Sequence, residues 1–269
     1  MREVTVVIGV GGIGIACARR LGAGQRLVLA DFNAAGLEAN AAELRASGYD
    51  VITQQVDIAD AASVAALVAT VSSAGSLRTL INTAGLSPTM APAKRIYAVD
   101  LLGTALVIDA FLPLARVGTA AVMIASMAPA FVPVPIELES KLALSPAADL
   151  LSVVGDLYAQ DPNGAYGVSK RGNQLRVEAA AAAWGAKGAR IVSVSPGLIH
   201  TSMQQQEEKA NDMITGLRKA TPMDRYGTAE DIAAGVEWLV GPNASLVSGI
   251  DLRIDGGVVA AIRWSQAAS

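Results

Sequence analysis

Tyr166-Gly167-Val168-Ser169-Lys170 sets a phenol and an ammonium four residues apart, which puts both on one face if the segment is helical. A lysine cation beside a phenol favours the phenolate. It draws the tyrosine down from its ordinary pKa of about 10 toward working pH, where the group can donate or accept a proton. A lone Tyr-x-x-x-Lys recurs on protein surfaces by chance, so it carries weight only in company. Gly9-Val10-Gly11-Gly12-Ile13-Gly14 supplies some, matching Gly-x-Gly-x-x-Gly through Gly9, Gly11 and Gly14 between a strand pattern and a helix pattern. Gly9 permits a tight turn, Gly11 lets backbone approach a pyrophosphate, and Gly14 lets the helix pack on the sheet. Gly12 and Ile13 lie where the helix N-terminal amides face the anion. Asp31 closes the next strand, where a carboxylate accepts hydrogen bonds from ribose hydroxyls and repels a 2′-phosphate. Neither Val10 nor Phe32 offers a cation in compensation, so NAD is expected in preference to NADP.

These residues need a sheet to hold them. Short β-branched runs at Glu3–Ile8, Arg26–Ala30, Val51–Val56, Thr79–Ile81, Thr119–Ala125, Arg190–Ser195 and Asp251–Ile254 alternate with alanine-rich stretches at helical spacing: 33–47, 63–71, 98–114 and 169–184. Strands that read as continuous apolar runs are covered on both faces. The expectation is therefore an α/β chain, a single doubly wound Rossmann domain with a mostly parallel seven-stranded sheet and helices on both faces. The chain has 269 residues, 52% of them apolar, enough for one large core, and no repeat or linker divides it. A net charge of −3 with dispersed Lys and Arg argues against a nucleic-acid partner. The lone Cys17 admits no internal disulfide and reads as packing. The charge-free stretch Val117–Ile136 is long enough to cross a bilayer, but Pro129, Pro133 and Pro135 interrupt it, and it reads as a buried strand followed by a loop. The first residues run straight into a strand with no export signal, so a cytoplasmic location and no membrane partner are expected. The sole histidine, His200, cannot build a metal cluster and reads as a loop or pocket-wall residue; no metal is expected.

In this order the motifs resemble those of the short-chain dehydrogenase/reductase family, from Val4 to Gly257. After the glycine turn and Asp31 come Val56-Asp57-Ile58, where the family's aspartate contacts adenine, and Asn82-Thr83-Ala84-Gly85, similar to its Asn-Asn-Ala-Gly element. Ser126 follows the fifth strand. Pro196-Gly197-Leu198-Ile199-His200-Thr201 fits the segment whose backbone and threonine hold the nicotinamide carboxamide. Arg225, Gly227, Glu230–Ala233 and Ile254–Gly257 complete the likeness. The resemblance implies that Tyr166 is the general acid/base, that Lys170 binds the nicotinamide ribose and lowers the tyrosine pKa, and that Ser126 holds the substrate oxygen. It implies an NAD(H)-dependent oxidoreductase acting on a secondary alcohol or ketone, moderately apolar, in a homodimer or homotetramer formed through the helices around 98–114 and 167–184. Asp57, Ile58, Asn82, Ala84, Gly85, Pro196, Gly197, Ile199 and Thr201 join the glycine turn, Asp31, Phe32, Tyr166 and Lys170 as expected cofactor contacts.

Three departures stand out. The glycine turn is one residue shorter than the family's, with Ile8 before it instead of a threonine. Asp100, in Val99-Asp100-Leu101-Leu102-Gly103, occupies the place of the active-site asparagine, losing an amide donor. About forty residues separate Ser126 from Tyr166, more than the family commonly has, as in its hydroxysteroid dehydrogenase and carbonyl reductase branches. This insertion, residues 129–164, is expected to contain one helix around 147–157. Its Phe131, Val132, Leu142, Leu144, Leu150 and Leu151 either line a pocket, form a subunit contact, or anchor a surface lobe. Residues 202–222 read as a lid. Two other readings compete: an NAD-binding sensor or scaffold without catalysis, motivated by Asp100 and the altered turn, and a sugar-nucleotide epimerase or dehydratase, whose members usually carry a longer C-terminal substrate domain. Retention of Ser126, Tyr166 and Lys170 together argues against the first.

Overall fold

The computed structural model describes residues 2–155, 161–201 and 212–267. Strands β1 (Glu3–Ile8), β2 (Arg26–Asp31), β3 (Asp50–Gln55), β4 (Ser76–Asn82), β5 (Ala120–Ile124), β6 (Arg190–Pro196) and β7 (Asp251–Ile254) form one sheet in the order β3-β2-β1-β4-β5-β6-β7. Every neighbouring pair is parallel. The chain winds outward from β1 through β2 to β3, then returns to β4 on the other side of β1. That reversal opens a crevice at the carboxyl ends of β1 and β4, where ligands bind in such sheets.

Both faces are covered, as the apolar strands require. In β1, Val4, Val6 and Ile8 point to one side, under α3 (Ala61–Ala74), α5 (Thr104–Phe111) and α8 (Pro162–Gly185), with Phe111 and Trp184 fully buried there. Val7, with Leu27, Leu29 and Val122 of the neighbouring strands, points the other way. There α1 (Gly12–Leu21), α2 (Ala34–Ala46) and α10 (Ala229–Val240) close the second core with Leu37, Leu44, Ile232 and Leu239. Cys17 sits fully buried in this layer, its thiol pushed up to about 12 chiefly by burial. Local capping fixes the helix starts. Asn33 accepts the Gly36 amide, Asp60 accepts that of Ala62, and Thr228 with Asp231 forms a reciprocal capping box at α10.

The expected seven-stranded sheet is present and parallel throughout. Three expectations need adjusting. Helix α8 begins at Pro162, seven residues before the expected 169, because Asp161 caps the amides of Asn163 and Gly164 while Pro162 fits the first turn. The stretch expected as one helix over 98–114 is divided into α4 (Ala93–Ile96), a π-helical turn (Tyr97–Gly103), α5 and a 3-10 turn (Leu112–Leu114). The insertion holds α6 (Ile136–Leu144) as well as a short α7 (Leu150–Val154). Leu142 and Leu150 are fully buried against Ile96, Leu101 and Val168, whereas Leu144, Leu151 and Phe131 are exposed, so the lobe anchors to the outer side of α4 and α8. Arg171 reinforces this through Glu139 at 2.6 Å, and buried Arg176 donates to the carbonyls of Leu142 and Ser145. The run Ala93–Leu114 is long and apolar enough to cross a membrane, and most of it is buried within this fold as a core element. The first part of the expected lid, 202–211, lies outside the described residues; α9 (Asp212–Ala220) follows.

Candidate functional site

The glycine turn leaves β1 at the crevice. Gly9 adopts φ +86°, and a β-carbon there would stand 2.6 Å from the Ala84 amide nitrogen; one on Gly14 would meet the Gly9 carbonyl oxygen at 1.8 Å. The turn is therefore closed against both its own helix and the end of β4. Thr83 seals it, its amide donating to Ile8 and its hydroxyl to the Gly9 carbonyl at 2.7 Å. At Gly11, by contrast, a β-carbon would meet nothing within 4 Å, and α1 starts with no side-chain cap and no acidic residue in its first turn. Bare amides at a positive helix end, facing open space, suit a pyrophosphate. Thr201 lies against Gly12, which brings the Pro196–Thr201 segment over the turn. Gly197 donates to the Ile254 carbonyl, and buried Ile199 bridges to Gly227.

Asp31 binds the turn from β2. Its oxygens accept the amides of Val10 and Asn33, both at 2.8 Å, which fixes the carboxylate beside the glycine turn. Phe32 is exposed beside it. Asp57 accepts the Ala59 amide at 2.9 Å and pairs with Arg95 at 3.0 Å, while the Arg95 guanidinium lies 5.7 Å from the Phe32 ring centroid. The side chain of Ile58 is buried against Gly103, so only its backbone is available to a ligand. Asn82 is buried as well, bridging the Ala84 amide and the Thr104 hydroxyl.

At the other end of the crevice α8 carries Tyr166, half-buried, with the Lys170 ammonium 5.5 Å from its ring centroid. Lys170 donates to the Ile124 carbonyl at 3.3 Å, two residues before Ser126, and the Val132 side chain lies against Gly167. The loop carrying Ser126 thus runs along the first turns of α8. Ser126 is buried and accepts the Ala128 amide at 3.1 Å. Asp100 projects from the π-helical turn to within 3.2 Å of Lys170, and Gly85 backs both side chains. Burial weighs against the Lys170 charge, but Asp100 and Tyr166 outweigh it and hold the ammonium above its ordinary range. Burial likewise pushes the Asp100 carboxyl up, with Lys170 and the Leu86 amide pulling it back.

Three contributions are not assigned from the sequence. Arg95, and Thr83, which the sequence marks only as part of the Asn82–Gly85 element, act through partners far along the chain. Gln174 stands one turn beyond Lys170 and reaches Ser195 at 2.9 Å and Asp251 at 3.2 Å, tying α8 to β6 and β7. The four-residue step from Lys170 is the one hint of its direction. His200 is exposed, its ring 6.0 Å from that of Tyr226. Among the described residues no group of three His, Cys, Asp or Glu side chains is placed to hold a metal.

Comparison with known proteins gives the same picture over nearly the whole chain. Residues 3–137 match the family model described as short chain dehydrogenase, and 149–259 match one described as enoyl-(acyl carrier protein) reductase. A short-chain dehydrogenase/reductase of Alternaria brassicicola is 35% identical over 266 residues, covering 96% of each chain. A 3-alpha-hydroxysteroid dehydrogenase/carbonyl reductase of Comamonas testosteroni is 32% identical over 197 residues, 70% of this chain and 74% of that one. Among solved structures, a short-chain dehydrogenase/reductase of the glucose/ribitol dehydrogenase type from Brucella melitensis superposes with a TM-score of 0.76 at 25% identity, covering 96% of each chain.

Proposed function

The chain belongs to the short-chain dehydrogenase/reductase family of nicotinamide-dependent oxidoreductases, and on that premise we propose that it interconverts a secondary alcohol and its ketone with NAD(H), Tyr166 acting as general acid/base. The observation that carries the reading is the Tyr166–Lys170–Ile124 arrangement, which sets a phenol and a buried ammonium beside the loop of Ser126.

The chain's own residues divide the work. The amides of Gly11, Gly12 and Ile13 hold the pyrophosphate, Asp31 the adenosine ribose, and Phe32, Asp57 and the Ile58 backbone the adenine end. Asn82, Ala84 and Gly85 shape the wall between the two halves, and Pro196, Gly197, Ile199 and Thr201 hold the carboxamide end. A dinucleotide held there would supply or accept the hydride at the carbinol or carbonyl carbon. Ser126 donates a hydrogen bond to the substrate oxygen. Tyr166 takes the hydroxyl proton from the alcohol during oxidation and returns it to the ketone oxygen during reduction. Lys170 stabilises the phenolate and binds the nicotinamide ribose. Both Asp31 oxygens hold backbone amides, which fixes a carboxylate where a 2′-phosphate would have to sit and supports NAD over NADP.

Carbinol-deuterated secondary alcohols test the reading. Appearance of the label in NADH, together with the matching ketone, is the expected result. Turnover without label in the cofactor, or no reduced cofactor across a broad panel, would refute it.

A further inference from the structure

Asp100 is an uncommon neighbour for a working lysine. Its side chain is 0% exposed and that of Lys170 5%, so their 3.2 Å contact is a buried ion pair, closed off from counter-ions. The π-helical turn delivers the carboxylate to this point, where an ordinary turn would direct it elsewhere. Its other oxygen accepts the Leu86 amide at 2.8 Å, and Gly85 leaves room for both charged groups, a β-carbon there falling 3.0 Å from the ammonium nitrogen and 3.1 Å from the carboxylate. We propose that Asp100 offsets the Lys170 charge, so that Tyr166 gives up its proton at a higher pH than beside an unpaired lysine, making alcohol oxidation an alkaline activity and leaving ketone reduction active at neutral pH. The inference rests on the assignment of Tyr166 as acid/base.

Among the described residues the charged and titratable groups are few. From α8 and its cap come Tyr166, Lys170 and Asp161, the last acting on Tyr97, and from the π-helical turn Asp100 and the buried phenol of Tyr97. The Tyr97 phenol is pushed up to about 12, chiefly by burial, and stays neutral in the working range. Residues 120–126 of β5 and its exit, and 83–90 after β4, contain no ionisable side chain. Asp57 and Arg95, beyond the turn, neutralise each other. With Asp100 ionised, Lys170 charged and Tyr166 protonated, the cluster is neutral, and losing one proton leaves it negative. Without the carboxylate the same loss takes the cluster from positive to neutral. The first proton then departs more readily, whichever of the two groups is credited with it. A unit charge several ångströms away in such a site is worth about one to two pH units.

The test compares the native enzyme with Asp100→Asn and with Asp100→Ser, the smaller variant serving should the amide fail to fold. Tyrosinate absorbance is titrated without cofactor for each, minus the same protein carrying Tyr166→Phe, which isolates Tyr166. The pH dependence of kcat/KM for alcohol oxidation is measured alongside. Both midpoints are expected to fall by about one to two units in the Asp100 variants. Coincident midpoints overturn the inference. Should neither variant fold, the native titration decides, and a Tyr166 midpoint at or below neutrality is the contrary result. Full turnover in Tyr166→Phe would instead sink the acid/base assignment, so the two failures are distinguishable.

Discussion

At Asp31 two backbone amides, of Val10 after β1 and Asn33 after β2, each hold one carboxylate oxygen. Asp31→Ser removes a charged acceptor but keeps a small polar group. A hydrogen bond to a charged group contributes about 1.5–3 kcal/mol, so NADH binding is expected to weaken by roughly 10- to 100-fold while NADPH binding weakens less or improves. Fluorescence titrations with both cofactors, alongside a melting curve to exclude loss of the turn, measure the change. The placement of this residue, the glycines and the Tyr166–Lys170 pair at one crevice was legible because each proposed role demands one residue type at a fixed local offset. Arg95 and Thr83 were not, since their partners, Asp57 and Gly9, lie far away in sequence. Ile58 shows the opposite limit: its position was legible, but only burial reveals that the side chain belongs to the core.

The element that organises the site is α8. Its inner face presents Tyr166, Lys170 and Gln174, while its outer side takes up the insertion through Arg171, Arg176 and the apolar cluster containing Leu142. Leu142→Ala should cost about 2–5 kcal/mol, the usual range for emptying a buried leucine site, read as a lowered denaturation midpoint with an unchanged slope. If the insertion were a loosely attached lobe, the change would be close to zero. The start of α8 shows how local signals outrank periodicity. The apolar pattern becomes helical only near residue 169, whereas Asp161-Pro162 marks the cap and first position directly. The π-helical turn had no such marker, because the apolar residues of 97–103 suit an ordinary helix equally well and the extra residue per turn is set by packing around Asp100 and Gly103.

Across the molecule, alternating strands and helices made the doubly wound architecture legible from pattern alone, since apolar runs covered on both faces leave few other arrangements. The insertion's position was legible only as extra length; where it folds back depends on long-range contacts. It packs against the π-helical turn at Leu101 and α8 at Val168, within the stretches 98–114 and 167–184 through which assembly was expected. We therefore expect a dimer through another face rather than a tetramer using this one, and light scattering on the eluted protein would contradict this by returning a tetramer mass. Cys17, inside the second core, should resist thiol reagents in the native protein and react only as the sheet layers separate in denaturant; prompt labelling would show that this layer opens locally. The most direct test of the whole account is Tyr166→Phe. Alcohol oxidation is expected to fall by about 10²- to 10⁴-fold while NADH affinity stays within a factor of a few, because the ring remains and only the proton carrier is lost. Turnover at the native rate would contradict the account.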